Sequence, residues 1–158
     1  MTQRQWEDLQ VGDELAPVAF PLSTYRMVMA AGANRDFNSI HHNPAFAKAS
    51  GAPDMYANTY FLQGMWERCI RQFIGHAGAI RSIHGFAMRR FNTPEDTVLI
   101  SGRVTRVWEE DAQGFAELEI SSSTAAGITV GPGQVVVTLP RRQAAKAFAA
   151  APAQLSHS

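Results

Sequence analysis

An α+β fold, with one curved antiparallel sheet of about five strands wrapped around a single long helix, is what this chain of 158 residues predicts. Three observations carry the prediction. The stretch from Asn58 to about Gly75 has helical spacing and an apolar arc too wide for a helix lying on a surface. Four strand-like segments follow it in succession, at 80–91, 97–108, 115–123 and 133–139, and short turns between successive strands favour antiparallel pairing. One more strand ends near Ser23, ahead of the helix. At 46% hydrophobic, the chain can fill the core of one ordinary domain and is too short for two of usual size.

The elements follow in chain order. Residues 6–15 read as a lead-in with a turn at Gly12-Asp13. A short helix is expected from Ser23, a hydroxyl N-cap, through Ala31, with Gly32 as terminator. Asn43-Pro44 combines an N-cap with proline at the first helical position, opening a second short helix that Gly51 can end. In the long helix, Asn58 is the expected N-cap and Gly75 or Gly78 the end, with Tyr60, Phe61, Leu62, Met65, Trp66, Cys69, Ile70, Phe73 and Ile74 apolar. Glu67 and Arg71 form an i,i+4 pair for its exposed side. In the segment 97–108, Val98, Ile100, Gly102 and Val104 alternate with Thr97, Ser101, Arg103 and Thr105, the pattern of a half-buried strand. Residues 109–114 and 126–128 read as hairpin connections. The alanine-rich end, 141–158, reads as a frayed helix or a disordered tail.

The chemistry concentrates between the two short helices. Asp36 and His41 put a carboxylate and an imidazole five residues apart in a connection fixed at both ends, an arrangement suited to holding one water and moving its proton. The stretch resembles the hydratase motif of MaoC-like proteins, the R-specific enoyl-CoA hydratases of hot-dog fold, which runs Ser-Gly-Asp-x-Asn-Pro-Ile-His. Asp36, Asn38, Ile40 and His41 match it in order and spacing, while Ser39 stands for the proline and Asn34-Arg35 for the Ser-Gly. Arg35-Asp36-Phe37 with the double His41-His42 looks most like the small MaoC-like subunits that act on steroid side-chain enoyl-CoA thioesters, often with a second hot-dog chain. The resemblance covers about residues 6 to 140, so a MaoC-like hot-dog domain is expected over 1–140.

That resemblance implies reversible addition of water to a trans-2-enoyl-CoA, giving a (3R)-3-hydroxyacyl-CoA, with Asp36 and His41 sharing proton transfer. Asn38 is either a support for these side chains or simply the cap of an Asx-turn. The family's oxyanion donor is a backbone N–H at the start of the central helix, in an Ile-x-His-Gly phrase. Tyr56-Ala57-Asn58-Thr59 stands there, so Asn58 takes the histidine position and Thr59 the glycine position. A helix N-terminus offers free N–H groups and a positive dipole end whatever its side chains. Arg89, Arg90 and Arg103 are candidates for CoA phosphates, because arginine meets phosphate in a planar, bidentate way; solvated strand ends are the plainer reading of each. Arg90-Phe91 before Pro94-Glu95-Asp96-Thr97 resembles a family segment ending Pro-Gly-Asp-Thr.

Other functions are disfavoured. Fourteen basic and fourteen acidic residues cancel, so overall charge attracts neither nucleic acid nor an anionic membrane. A metal role for Asp36, His41 and His42 is disfavoured because adjacent histidines point apart and no further Cys/His cluster exists; no metal or redox cofactor is expected, coenzyme A being part of the substrate. Cys69 is the one cysteine, which excludes an intrachain disulfide and suits a reducing cytoplasm. No apolar run follows the basic residue near Met1, and none approaches the roughly 20 residues of a spanning helix, so a cytoplasmic protein is expected. Two rivals stay open: a thioesterase of the same fold, against which the Asp36 to His41 loop argues, and a subunit whose site is completed by a second hot-dog chain. Hot-dog domains pair edge to edge into a longer sheet, so a homodimer or a heteromer is implied.

Overall fold

The computed structural model describes residues 2–142; of the alanine-rich end, 143–158 lie outside the described residues. Five strands, β1 (Val18–Pro21), β2 (Ala79–His84), β3 (Thr97–Glu110), β4 (Gln113–Thr124) and β5 (Gly127–Leu139), form one antiparallel sheet in the order β1-β3-β4-β5-β2. Among the described residues, three α-helices complete it, α1 (Thr24–Ala33), α2 (Pro44–Ala49) and α3 (Thr59–Ile74). The sheet curls around α3, as a hot-dog fold requires. Among the described residues, no helix is long and apolar enough to cross a membrane.

Burial of α3 organises the core. Leu62, Met65, Trp66, Cys69, Ile70, Phe73 and Ile74 of the helix are buried with Val98, Ile100 and Val104 of β3 and Leu118 and Ile120 of β4. Each large aliphatic or aromatic side chain so enclosed contributes about 1.5–3 kcal/mol. A polar group inside this packing finds its partner across it, where the Trp66 indole N–H donates to Ser122 Oγ at 2.7 Å. Gly75 ends the helix at φ 80°, as its place in the sequence predicts.

Several expectations are corrected in detail. The strand expected over 80–91 ends at His84, because Gly85 takes φ 67° and its Cα side lies against Gly133; beyond it only Met88 keeps a bridge to the sheet, at Val130. β5 begins at Gly127 rather than 133, since the β4–β5 hairpin turns tightly between Thr124 and Gly127. Gly32 does not stop α1, which runs on to Ala33. Glu67 is not bonded to Arg71: it accepts from Gln63, one turn earlier, while Arg71 reaches past the helix end to the Gly78 carbonyl. Tyr60, counted with the apolar arc, is 64% exposed.

Replacing Ser122 by Ala leaves the Trp66 indole N–H without a partner in the core. The expected loss is about 1–3 kcal/mol. It should read as a lower urea midpoint with an unchanged m-value.

Candidate active site

Asp36 owes its position to the way α1 ends. Arg35 adopts φ 56°, its N–H bonds the Gly32 carbonyl at 3.0 Å, and the Asp36 N–H bonds the Ala31 carbonyl at 2.9 Å. This is a Schellman closure with arginine where glycine is usual, and it leaves Asp36 as the first residue turned away from the helix. Asn38 then caps a single 3-10 turn over Ser39–His41, its Oδ1 accepting from the Ile40 N–H at 3.2 Å. Of its two readings, the structure displays the Asx cap. Asn43 caps α2 in the same manner, accepting from Phe46 N–H at 3.1 Å, with Pro44 at the first helical position.

This turn drives His41 inward, where it is 6% exposed. Its Nδ1 lies 2.7 Å from the Tyr56 carbonyl oxygen and its Nε2 lies 3.1 Å from Asp36 Oδ2. A carbonyl only accepts, so Nδ1 carries a hydrogen; in a neutral ring Nε2 would present a lone pair toward Asp36. Nε2 and a carboxylate oxygen are then two acceptors side by side. At 3.1 Å, a direct hydrogen-bond distance, they repel unless a proton lies between them. A water lying alongside the pair can hydrogen-bond to it, and the pair can take its proton. The Tyr56 ring supports the imidazole edge-on at 5.3 Å and leans on Phe91 at 4.8 Å.

The start of α3 adjoins this pair. Tyr56 N–H donates to the Ile40 carbonyl at 3.3 Å, so the strand-like entry to α3 runs along the 3-10 turn. Asn58, 2% exposed, accepts from Phe61 N–H at 2.9 Å and from Asn34 Nδ2 at 3.4 Å. Among the described residues, no acceptor meets the N–H groups of Thr59 or Tyr60, the first two of the helix. Thr59 is exposed, and its hydroxyl turns aside to Met88 Sδ at 3.5 Å. A positive helix end with two open N–H groups therefore sits three residues beyond the carbonyl that holds His41.

The arginines separate. Arg89 and Arg90, with Met88, Phe91 and Thr93, line a hollow of about 540 Å³, and the Arg89 side chain bonds the Gly131 carbonyl. Arg103 is not with them: it points from the convex face of β3 and pairs with Glu119 across the strands at 3.2 Å. His42 and His84 are exposed. Among the described residues, no group of three or more His, Cys, Asp or Glu side chains gathers as a metal site. Cys69 is buried in α3, and burial pushes its thiol up to about 11, with the Arg68 charge pulling weakly the other way. Sequence reasoning did not single out Asn34 or the Tyr56 carbonyl. The first acts across 24 positions and the second is backbone, so neither leaves a local signal.

No protein-family model matches the chain. Over 84 residues it is 34% identical to the 3-oxo-4,17-pregnadiene-20-carboxyl-CoA hydratase beta subunit of Mycobacterium tuberculosis, a match covering 51% of this chain and 62% of that subunit. The chain thus spans less than two thirds of that relative's length. A chain of the ChsH1-ChsH2 complex of Mycobacterium tuberculosis superposes with a TM-score of 0.75 at 27% identity, covering 84% of this chain and 98% of that one. The (R)-hydratase of A. caviae involved in PHA biosynthesis superposes with a TM-score of 0.75 at 22% identity over 85% and 99%, a likeness of fold. This chain is similar in sequence to a steroid side-chain hydratase subunit and in fold to an R-hydratase.

Arg35→Gly should stabilise the protein by about 1 kcal/mol, since glycine adopts the left-handed region freely, whereas Arg35→Val should cost at least as much. Thermal denaturation of the two variants checks this. Cys69 should resist iodoacetamide at pH 8 in the folded chain and react fully once unfolded. Between its ordinary 9.0 and about 11 the unfolded thiol loses its proton while the folded one keeps it, so stability should fall as pH rises through that window.

Proposed function

We propose that the chain is an enoyl-CoA hydratase that reversibly adds water across a trans-2-enoyl-CoA to give a (3R)-3-hydroxyacyl-CoA. The observation that carries this reading is the Asp36–His41 pair, 3.1 Å apart beside the open N-terminus of α3. The pair holds one water beside it, and the water oxygen attacks C3. One water proton passes to the pair, and the pair returns a proton to C2, so the net change is addition of H and OH. Negative charge that develops on the thioester oxygen is met by the free N–H groups of Thr59 and Tyr60, held at the helix end by the Asn58 cap. Such chemistry calls for no metal or redox cofactor, coenzyme A entering as part of the substrate. Arg89 and Arg90 border a hollow suited to its phosphates.

A second reading makes the chain one subunit of a heteromeric hydratase acting on steroid side-chain thioesters. The similarity to a beta subunit favours it, as does the similarity to a chain of a two-component complex. β1 and β2 are the two edges of the sheet, and either could extend across a partner.

Enoyl thioester absorbance, followed with crotonyl-CoA, a medium-chain enoyl-CoA and a steroid enoyl-CoA, separates the readings. With the purified chain alone, absorbance should fall, and Asp36→Asn or His41→Ala should each lower kcat by about 10²–10⁴. A folded chain inactive on all three substrates would sink the self-sufficient hydratase and turn attention to a partner restoring activity.

A further inference from the structure

Between α1 and α3 runs a groove of about 570 Å³ whose walls are mainly apolar, from Tyr25, Met29 and Ala33 on one side and Tyr60, Phe61 and Met65 on the other. That volume is in the range of small-ligand sites. Tyr25, Met29 and Tyr60 are 72%, 56% and 64% exposed, a large apolar area to leave facing water. The groove has two distinct ends. At one, Asn34 donates to Asn58 at the start of α3, two residues before Asp36. At the other, Arg26 donates to the Pro21 carbonyl at 3.1 Å, and the Arg68 guanidinium stands 5.5 Å over the neighbouring Phe20 ring. The helices are therefore antiparallel along the groove, and the two arginines reach neighbouring residues of β1, Pro21 and Phe20.

Two further details bear on an occupant. Eight residues separate Arg26 from Asn34 and Tyr60 from Arg68, so the groove is about 12 Å long at the helical rise of 1.5 Å per residue. Gly64 lies midway along it, and a Cβ built there meets nothing within 4 Å, so the absence of a side chain leaves space rather than relieving a contact. Among the described residues, neither Arg26 nor Arg68 is in an ion pair.

We propose that this groove receives the acyl body of the substrate, and that Arg26 and Arg68 select acyl groups about 12 Å long that end in a hydrogen-bond acceptor, an oxo group or a carboxylate. The proposal rests on the hydratase reading for what is attached at the Asp36 end. Apolar walls bind the body of such a group without direction, while two guanidinium groups favour an acceptor at the tip over a methyl group.

The test uses the whole chain and three probes, trans-2-decenoyl-CoA, its 9-oxo derivative and its ω-carboxylate derivative, titrated into Asp36→Asn protein so that no turnover intervenes. At least one acceptor-tipped probe should bind about tenfold more tightly than the methyl-ended one, as expected for a hydrogen bond to a charged group. The double change Arg26→Met with Arg68→Met should erase that difference, and Gly64→Leu should weaken all three probes by about tenfold or more. Equal binding of the three probes, or binding indifferent to Gly64→Leu, overturns the proposal. So does a Gly64→Leu variant whose sedimentation changes while probe binding does not, which would mean that a protein chain covers the groove. Hydration of crotonyl-CoA by the unmodified chain, run alongside, reads the hydratase assignment separately: turnover without tip selection sinks only the groove, and tip selection without turnover sinks only the reaction.

Discussion

The junction at Asn58 is the constraint on which the site depends. A helix enclosed by a sheet must begin somewhere its first N–H groups are not stranded, and Asn58 meets that need by accepting from Phe61 N–H while itself buried. The same Oδ1 takes a hydrogen from Asn34, which ties the end of α1 to the start of α3. Two residues earlier, the Tyr56 carbonyl fixes the His41 tautomer. One short segment thus caps the core helix, anchors the loop that carries Asp36 and orients the imidazole. Disturbing it would loosen the core and the site together.

The loop itself is rigid through backbone bonding rather than bulk. Between Ala31 and Asn43, a Schellman closure, an Asx-capped 3-10 turn and a second Asx cap follow one another with almost no free residue. Each device satisfies backbone groups locally, so residues at the surface hold a set geometry without a large apolar contact. Phe37, 73% exposed in the middle of this loop, shows how little hydrophobic burial contributes there. The proposed proton transfer asks for such rigidity, since two groups 3.1 Å apart must not drift.

Much of the fold was legible because its signals are local. The Asn58 cap and Gly75 stop bound α3 as read, and the alternation in 97–108 gave the buried face of β3. Errors arose where two local rules competed or where a partner was distant. Gly32 looked like a terminator, yet the left-handed position fell to Arg35, since hydrogen bonding to Ala31 and Gly32 decides where the turn closes. Glu67 had two neighbours on its own helix and took Gln63, because Arg71 was drawn to the Gly78 carbonyl. The strand over 80–91 was read too long because its composition stays strand-like past Gly85, whereas the ladder ends where Gly133 crowds that glycine.

By itself, the sequence determined the sheet-and-helix class, the bounds of the enclosed helix, the caps on either side of the loop, and the nomination of Asp36 with His41. These follow from spacing, side-chain hydrogen bonding to nearby backbone, and a motif only six residues long. Tertiary structure alone decided which groups meet: the 3.1 Å contact of that pair, the Asn34 to Asn58 bond, the separation of Arg103 from Arg89 and Arg90, and the groove that Arg26 and Arg68 both line. The physical reason is one of range. Propensity and capping act over a few residues, while the distance between side chains far apart in the chain is set by how the sheet curls and where the helices pack on it.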